Sequence, residues 1–182
     1  PSASGPGFRR SSVRRGGITR FQPWLTERNG MNPPLGAWSA DPSGKSGAGE
    51  SYVVYGSSTR TLAELDLSSL DGTNGFQING IDERDLSGNA VSSAGDVNGD
   101  GVDDIIIGAF SANPSGKISA GESYVVFGSA SWSLADLDLS SLDGFNGFKI
   151  NGIDDGDGSG RSVSSAGDVN GDGVDDIVIG AW

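Results

Sequence analysis

The chain has 182 residues and a formal net charge of −12 at pH 7, with 12 Lys and Arg against 24 Asp and Glu. It contains no Cys and no His, which excludes thiolate or imidazole sites for zinc and copper and any catalytic triad built on His or Cys. The acidic balance argues against nucleic acid as a partner, and no apolar run approaches the roughly 20 residues that cross a bilayer, so no membrane insertion is expected.

Residues 1–34 differ from the rest of the chain, because they carry six Arg and a single Glu. Arg9-Arg10 and Arg14-Arg15 fit either a basic arm for an anionic surface or a segment outside the folded unit. We favour the second interpretation, a disordered or artefactual segment, because the repeat described next begins abruptly at Leu35.

An internal repeat of 72 residues organises the remainder, and about three quarters of its positions are identical without gaps. One unit covers 35–107, and residues 108–182 hold the second unit and the start of the next blade. Each unit predicts four short strands separated by Gly-rich turns. One such set of four starts in the first unit and continues into the second. Its first strand ends at Ala94, and the other three span Ile105–Ile107, Ser123–Gly128 and Phe148–Ile153. A tandem repeat of four-stranded antiparallel sheets is typical of β-propeller blades, so the predicted fold class is all-β.

The leucine-rich stretch from Leu62 to Leu70 resembles a leucine-rich repeat, but a period of 72 residues does not fit that fold. We interpret it as the connection between the third and fourth strands, with leucines that cap the blade. Asp82, Asp85 and their counterparts in the next copy are interpreted as solvated turn residues.

The most informative motif is an acidic loop of nine residues that recurs unchanged, at 96–104 and again at 168–176, and each copy leads into an apolar strand. Side-chain and main-chain oxygens at its odd positions are candidate ligands for a hard cation. They belong to Asp96, Asn98, Asp100, Val102 and Asp104 in the first loop and to Asp168, Asn170, Asp172, Val174 and Asp176 in the second.

Calcium is the expected cofactor, about one ion per loop and two in all, because it accepts six to eight oxygen ligands in flexible geometry. The helix-loop-helix calcium hand begins with the same pattern but needs a Glu at its twelfth position, where this chain has Ile107 and Ile179. We therefore expect a loop between two strands. A plain Asp-Gly hairpin without metal is the simpler alternative.

These residues resemble the FG-GAP repeats of the integrin alpha-chain propeller and its secreted bacterial relatives. The resemblance rests on the calcium loop followed by Gly108-Ala109-Phe110 and Gly180-Ala181-Trp182, where the family has Gly-Ala-Pro. It implies a seven-bladed, calcium-stabilised propeller used for adhesion or protein recognition rather than catalysis. Since a ring needs roughly four to eight blades, the two and a half repeats present here predict a fragment of a longer array.

The expected function is that of a calcium-binding module in a secreted or cell-surface protein, with an unidentified protein or matrix ligand. Neighbouring blades or a second copy are the expected contacts of the open sheets. One alternative is a structural spacer stiffened by calcium. Another is an accessory domain of an exported hydrolase, with any catalysis located elsewhere, so no enzymatic activity is expected of this segment.

Overall fold

In the computed structural model, residues 35–58 and 64–182 are described, and the predictions for residues 1–34 and for Leu62 and Ala63 lie outside them. The described ranges contain ten strands and four 3-10 turns. The strands are β1 Leu35–Ala37, β2 Glu50–Val54, β3 Gly75–Asn79, β4 Ala90–Gly95, β5 Asp104–Ala109, β6 Glu122–Val126, β7 Asp136–Asp138, β8 Gly147–Asn151, β9 Ser162–Gly167 and β10 Asp176–Gly180. The turns are Pro42–Gly44, Leu67–Ser69, Pro114–Gly116 and Leu139–Ser141.

The strands form three successive sheets. The central sheet has the order β4-β5-β6-β8 and is antiparallel throughout. The preceding sheet has the order β1-β2-β3-β7, and the following one pairs β9 with β10. This arrangement confirms the prediction of an all-β fold built from four-stranded blades. Within the described residues, no helix is long and apolar enough to cross a membrane.

The sheets are offset in phase from the sequence repeat. Each 72-residue unit begins in the second strand of one blade and ends within the second strand of the next, with the crossing between blades at residues 80–89. Each period therefore ties two blades together covalently, and the acidic loop always joins the first and second strands of a blade.

A short strand was missed in the sequence. β7 leaves the connection between β6 and β8 and pairs in parallel with β3 of the preceding blade, with Ile78 opposite Leu137. Leu137 and Leu139 are buried, so the prediction that leucines of this connection cap the blade is confirmed for the second period. The connection also extends the neighbouring sheet by one strand, which a three-residue Asp-Leu-Asp segment gives no periodicity to predict.

Two hydrophobic cores fill the spaces between the sheets. Ile107, Tyr124 and Val126 pack towards the preceding sheet, against Phe76 and Ile78. On the opposite face, Ile106 and Val125 pack towards the following sheet, against a set of half-buried side chains. The members of that set from the following sheet are Val163, Ile177 and Ile179. Both faces of the central sheet are thus covered, which explains its continuous apolar strands.

Adjacent blades touch through backbone at the Gly-Ala motif. A Cβ at Gly108 would lie 1.9 Å from the carbonyl oxygen of Gly160, so no larger residue fits without moving one blade. At the third position of the motif, Phe110 and Trp182 flank the guanidinium of Arg161, at 5.0 and 3.9 Å from their ring centroids. These cation–π contacts add a second link between the blades.

A buried acidic side chain also lies at the junction of the first two blades. Asp85, in the crossing between β3 and β4, is 4% exposed, so its interpretation as a solvated turn residue was wrong. Burial first, then the charges of Asp82 and Glu122, raises the pKa of Asp85 from 3.8 to about 6. Glu122 accepts a hydrogen bond from Tyr124 and pairs with Lys149 at 3.1 Å.

This pKa predicts that stability falls as pH rises from about 4 to about 6, because the folded chain holds the Asp85 proton more tightly than the unfolded chain. Asp85→Asn is expected to raise the melting temperature at pH 7.5, and the gain should shrink towards pH 4. Asp154→Asn, in the exposed turn of the next copy, is the control and should show neither effect. A lower melting temperature for Asp85→Asn at pH 7.5 would contradict this account.

Candidate metal-binding loops

Both acidic loops connect the first two strands of a blade, and they lie at the same end of adjacent sheets. The first joins β4 to β5 and the second joins β9 to β10. In each hairpin the strand register shifts next to the loop, between Ser93 and Gly95 in the first and between Asp176 and Ile177 in the second. This irregularity ends the regular ladder and lets the chain curl into the nine-residue turn.

Asp96 organises the start of the first loop. Its Oδ1 accepts hydrogen bonds from the backbone N–H groups of Gly99 at 2.8 Å and Asp100 at 3.0 Å. Its Oδ2 accepts one from Gly101 at 2.8 Å. The carboxylate therefore faces the inside of the turn, which folds around it.

Asn98 and Asp100 continue the same pattern along the loop. Asn98 Oδ1 accepts from the N–H of Asp100 at 2.9 Å, and Asp100 Oδ1 accepts from Val102 at 2.8 Å. The amide of Asn98 also donates to Asp100 Oδ2 at 3.1 Å. These short-range side-chain contacts are turns of the kind that Asn and Asp form with the backbone two residues on.

Asp104 differs from the other candidates because it is only 1% exposed. Its Oδ2 accepts from the N–H of Val97 at 2.9 Å, and its Oδ1 accepts from Gly128 at 2.7 Å. Burial raises the pKa of Asp104, against the lowering effect of these two N–H groups. The side chain thus fastens the loop to its own start and to the segment that follows β6.

The second loop repeats the first in nearly every contact. Asp168 accepts from the N–H groups of Gly171, Asp172 and Gly173, at 2.6, 3.1 and 2.8 Å. The N–H of Gly173 is the main cause that lowers the pKa of Asp168. Asp176 accepts from Val169 at 2.8 Å.

The remaining predicted ligands of the second loop also make the side-chain contacts of a turn. Asn170 Oδ1 accepts from the N–H of Asp172 at 2.9 Å, and Asp172 Oδ1 accepts from Val174 at 2.9 Å. The Asn170 amide donates to Asp176 at 3.4 Å, whereas the Asn98 amide donates to Asp100. The two loops therefore share their sequence and their fold, and within the nine residues their side-chain contacts differ in one amide hydrogen bond.

The donor set of each loop fits a hard divalent cation. Three carboxylates, one side-chain amide oxygen and one main-chain carbonyl lie within nine residues, and such oxygens are the ligands that calcium prefers. In the described ranges, however, no three ionisable side chains converge closely enough to hold a metal ion, since the loop carboxylates face backbone N–H groups. The ten predicted ligand residues thus share two loops, and their role as ligands stays a prediction.

A residue missed in the sequence links the two loops. Asp175, at the eighth position of the second loop, accepts a hydrogen bond from the N–H of Asp96 at 3.0 Å through its Oδ2. Its own N–H donates to the carbonyl of Asp96 at 3.1 Å. Spacing within one loop gives no signal for this contact, because it depends on how two blades are placed.

A groove of about 400 Å³ opens beside the first loop. Asn98 and Asp100 form one side, and Phe145, which is 93% exposed, stands on its rim. The remaining lining residues come from the segments around β6, β7 and β8. They are Phe127, Gly128, Ser129, Ser131, Trp132, Ser133, Leu134, Leu137 and Asn146.

Comparison with known proteins places these features in a family. A model of the FG-GAP repeat matches residues 87–126 and 159–181, which include the first acidic loop and the second. The chain is similar to integrin alpha pat-2 of Caenorhabditis elegans, with 37% identity over 120 residues. The match covers 64% of this chain and 9% of that relative's length. The bacterial branch of the family stays a prediction, and the two matched segments of this chain are FG-GAP repeats similar to those of an integrin alpha chain.

Proposed function

We propose that this chain is a calcium-binding β-propeller module of a secreted or cell-surface protein, which acts in adhesion or protein recognition. The observation that carries the proposal is the identical acidic loop at the same end of two adjacent blades, with five oxygen donors in each copy. The FG-GAP match and the similarity to an integrin alpha chain support the recognition role.

The electrostatics of the loops favour a bound cation. Two unit charges about 4 Å apart repel by about 1 kcal/mol in water and by about 4 kcal/mol at an effective dielectric near 20. Asp96 and Asp100 already oppose the ionisation of the buried Asp104. A calcium ion would supply the positive charge that offsets this repulsion, and magnesium fits less well because it demands near-ideal octahedral geometry.

The residues of each loop would have different roles in binding the cation. Asp96 and Asp168 keep the turn closed around their carboxylates, and Asp104 anchors the first loop to the body of the blade. Asp100 and Asp172 are exposed and each makes a single backbone contact with its Oδ1. Substitution of these two side chains by Ala is therefore the best test of cation binding.

One observation favours recognition over an inert spacer. The nine loop residues are identical in the two periods, whereas several positions around the groove differ. Phe145 replaces Thr73, and Trp132 replaces Arg60, in otherwise matching contexts. Trp132 packs on Phe76, whereas Phe145 and Leu134 are exposed and give the groove an apolar rim. A spacer would have no need of such a rim, and exposed apolar patches are typical of interaction sites. The same groove would serve an accessory domain that docks an exported enzyme onto its target.

Calcium binding is tested by calorimetric titration of the full chain. We expect close to two ions per chain, with modest affinity of about 0.1 to 1 mM, as in other extracellular modules. Free calcium at ten times the dissociation constant should stabilise the fold by about 1.4 kcal/mol per site.

The double variant Asp100→Ala, Asp172→Ala should lose both the binding heat and the calcium-dependent rise in melting temperature. The control, Asp154→Ala with Asp155→Ala, removes two exposed acidic side chains from a turn outside the loops and should keep both. Equal binding by the double variant and the control would show that the loops are not the sites.

Recognition is tested by adhesion of beads coated with the full chain to cells and to extracellular matrix, with calcium and with chelator. Phe145→Thr restores the residue found at the matching position 73, and because Phe145 is 93% exposed the fold should not change. We expect saturable adhesion of the wild type in calcium and a loss of several-fold or more in the variant.

Ile118→Ala, which changes an exposed apolar residue outside the groove, is the matched control and should adhere like the wild type. Equal adhesion of all three proteins would show that the groove is not the adhesion site. No saturable adhesion of any of them would favour the spacer.

A further inference from the structure

The strongest feature outside the assigned loop ligands is the pair of hydrogen bonds between Asp175 and Asp96. The carboxylate of Asp175 accepts the Asp96 N–H at 3.0 Å, and the Asp175 N–H donates to the Asp96 carbonyl at 3.1 Å. Asp96 is the first residue of one loop, and Asp175 stands directly before the last residue of the other. The end of the second loop is thus fixed to the start of the first.

The Asp175 carboxylate occupies the space beside Gly95, at the end of β4, where a larger residue would have its Cβ. Gly95 has a φ of +75°, and a Cβ there would lie 2.1 Å from Asp175 Oδ2. The equivalent Gly167 has a similar φ of +67°, yet its Cβ would meet no atom of the described residues within 4 Å. The two glycines share a backbone conformation, and only Gly95 also accommodates a neighbouring side chain.

The equivalent residue of the first loop provides an internal reference. Asp103 occupies the same eighth position and is exposed, and its carboxylate makes no hydrogen bond or ion pair with the parts of the chain that the structure describes. Among the described residues, only the Asp at the eighth position of the second loop makes this contact, and it does so with the backbone of the other loop.

We propose that Asp175 is a positioning residue that couples the two loops, so that calcium in one loop raises the affinity of the other. The inference rests on the proposed calcium binding. Ordering the second loop fixes Asp175, which holds the backbone on both sides of the Asp96 Cα in place. By linkage the effect is reciprocal: an ion bound near Asp96 must favour the second loop by the same factor.

Single-loop variants of the full chain measure this coupling by calorimetric titration with calcium. Asp172→Ala leaves the first loop alone, and Asp100→Ala leaves the second. We expect the remaining loop of each variant to bind calcium about five-fold or more weakly than the same loop binds it in the wild type when the other loop is occupied. In an Asp175→Ala background this difference should disappear.

Two matched variants separate coupling from a general loss of structure. Asp175→Asn keeps an oxygen acceptor for the Asp96 N–H, so it should retain most of the coupling. Asp103→Ala removes the same side chain from the same position of the other loop and should retain all of it. Coupling that persists in Asp175→Ala, or that is lost equally in Asp103→Ala, would overturn the proposal.

Hydrogen exchange in chelator tests the contact without calcium. The Asp96 amide should be protected in the wild type, and protection should fall in Asp175→Ala and in Gly95→Ala, where a methyl group displaces the carboxylate. Gly167→Ala carries the same backbone strain and should leave the Asp96 amide unchanged. An Asp96 amide that exchanges equally in all four proteins would overturn the proposed contact.

The outcomes distinguish this inference from the function on which it rests. Absence of calcium binding by the wild type would defeat both, whatever the exchange rates. Two ions that bind with independent affinities would leave the calcium module intact and defeat the coupling alone.

Discussion

Contact between neighbouring sheets is the constraint on which the rest of the structure depends. A sheet in this chain cannot bury both faces by itself, and Ile106 and Ile107 of β5 pack in opposite directions against the sheets on either side. Backbone contact at Gly108 and Gly160 then fixes how closely the sheets approach. Because consecutive blades are held in one relation, loops at equivalent positions come to lie side by side.

Carboxylate groups that lie at or near these contacts cost free energy, because burial and mutual repulsion oppose their ionisation. Asp85 and Asp104 are buried carboxylates whose pKa values are both raised, and the two sites offset that cost differently. At Asp85 the charge of Lys149 opposes the rise in pKa while that of Glu122 adds to it, whereas Asp104 is satisfied by two backbone N–H groups. The exposed loop carboxylates have only local N–H donors, so a divalent cation would stabilise them most. Metal binding and blade packing are therefore linked in this account.

Sequence periodicity predicted the features that are local in the chain. The four strands of a blade follow from apolar runs and Gly-rich turns, and the two loops from the fixed spacing of Asp and Asn. The features that were missed depend on where the blades lie in space. The strand at Leu137, the burial of Asp85 and the contact of Asp175 with Asp96 each join residues of different sheets. No spacing within one repeat encodes such contacts, although the exact 72-residue period implies that equivalent loops are neighbours.

The most direct measurement is a crystal structure of the chain grown in saturating calcium, with anomalous scattering data to locate the ions. We expect one anomalous peak inside each loop, at 96–104 and at 168–176, with oxygen ligands at about 2.3 to 2.6 Å. The Asp175 carboxylate should still accept the Asp96 N–H. Loops that keep the backbone hydrogen bonds of their carboxylates and show no anomalous peak would contradict the central claim.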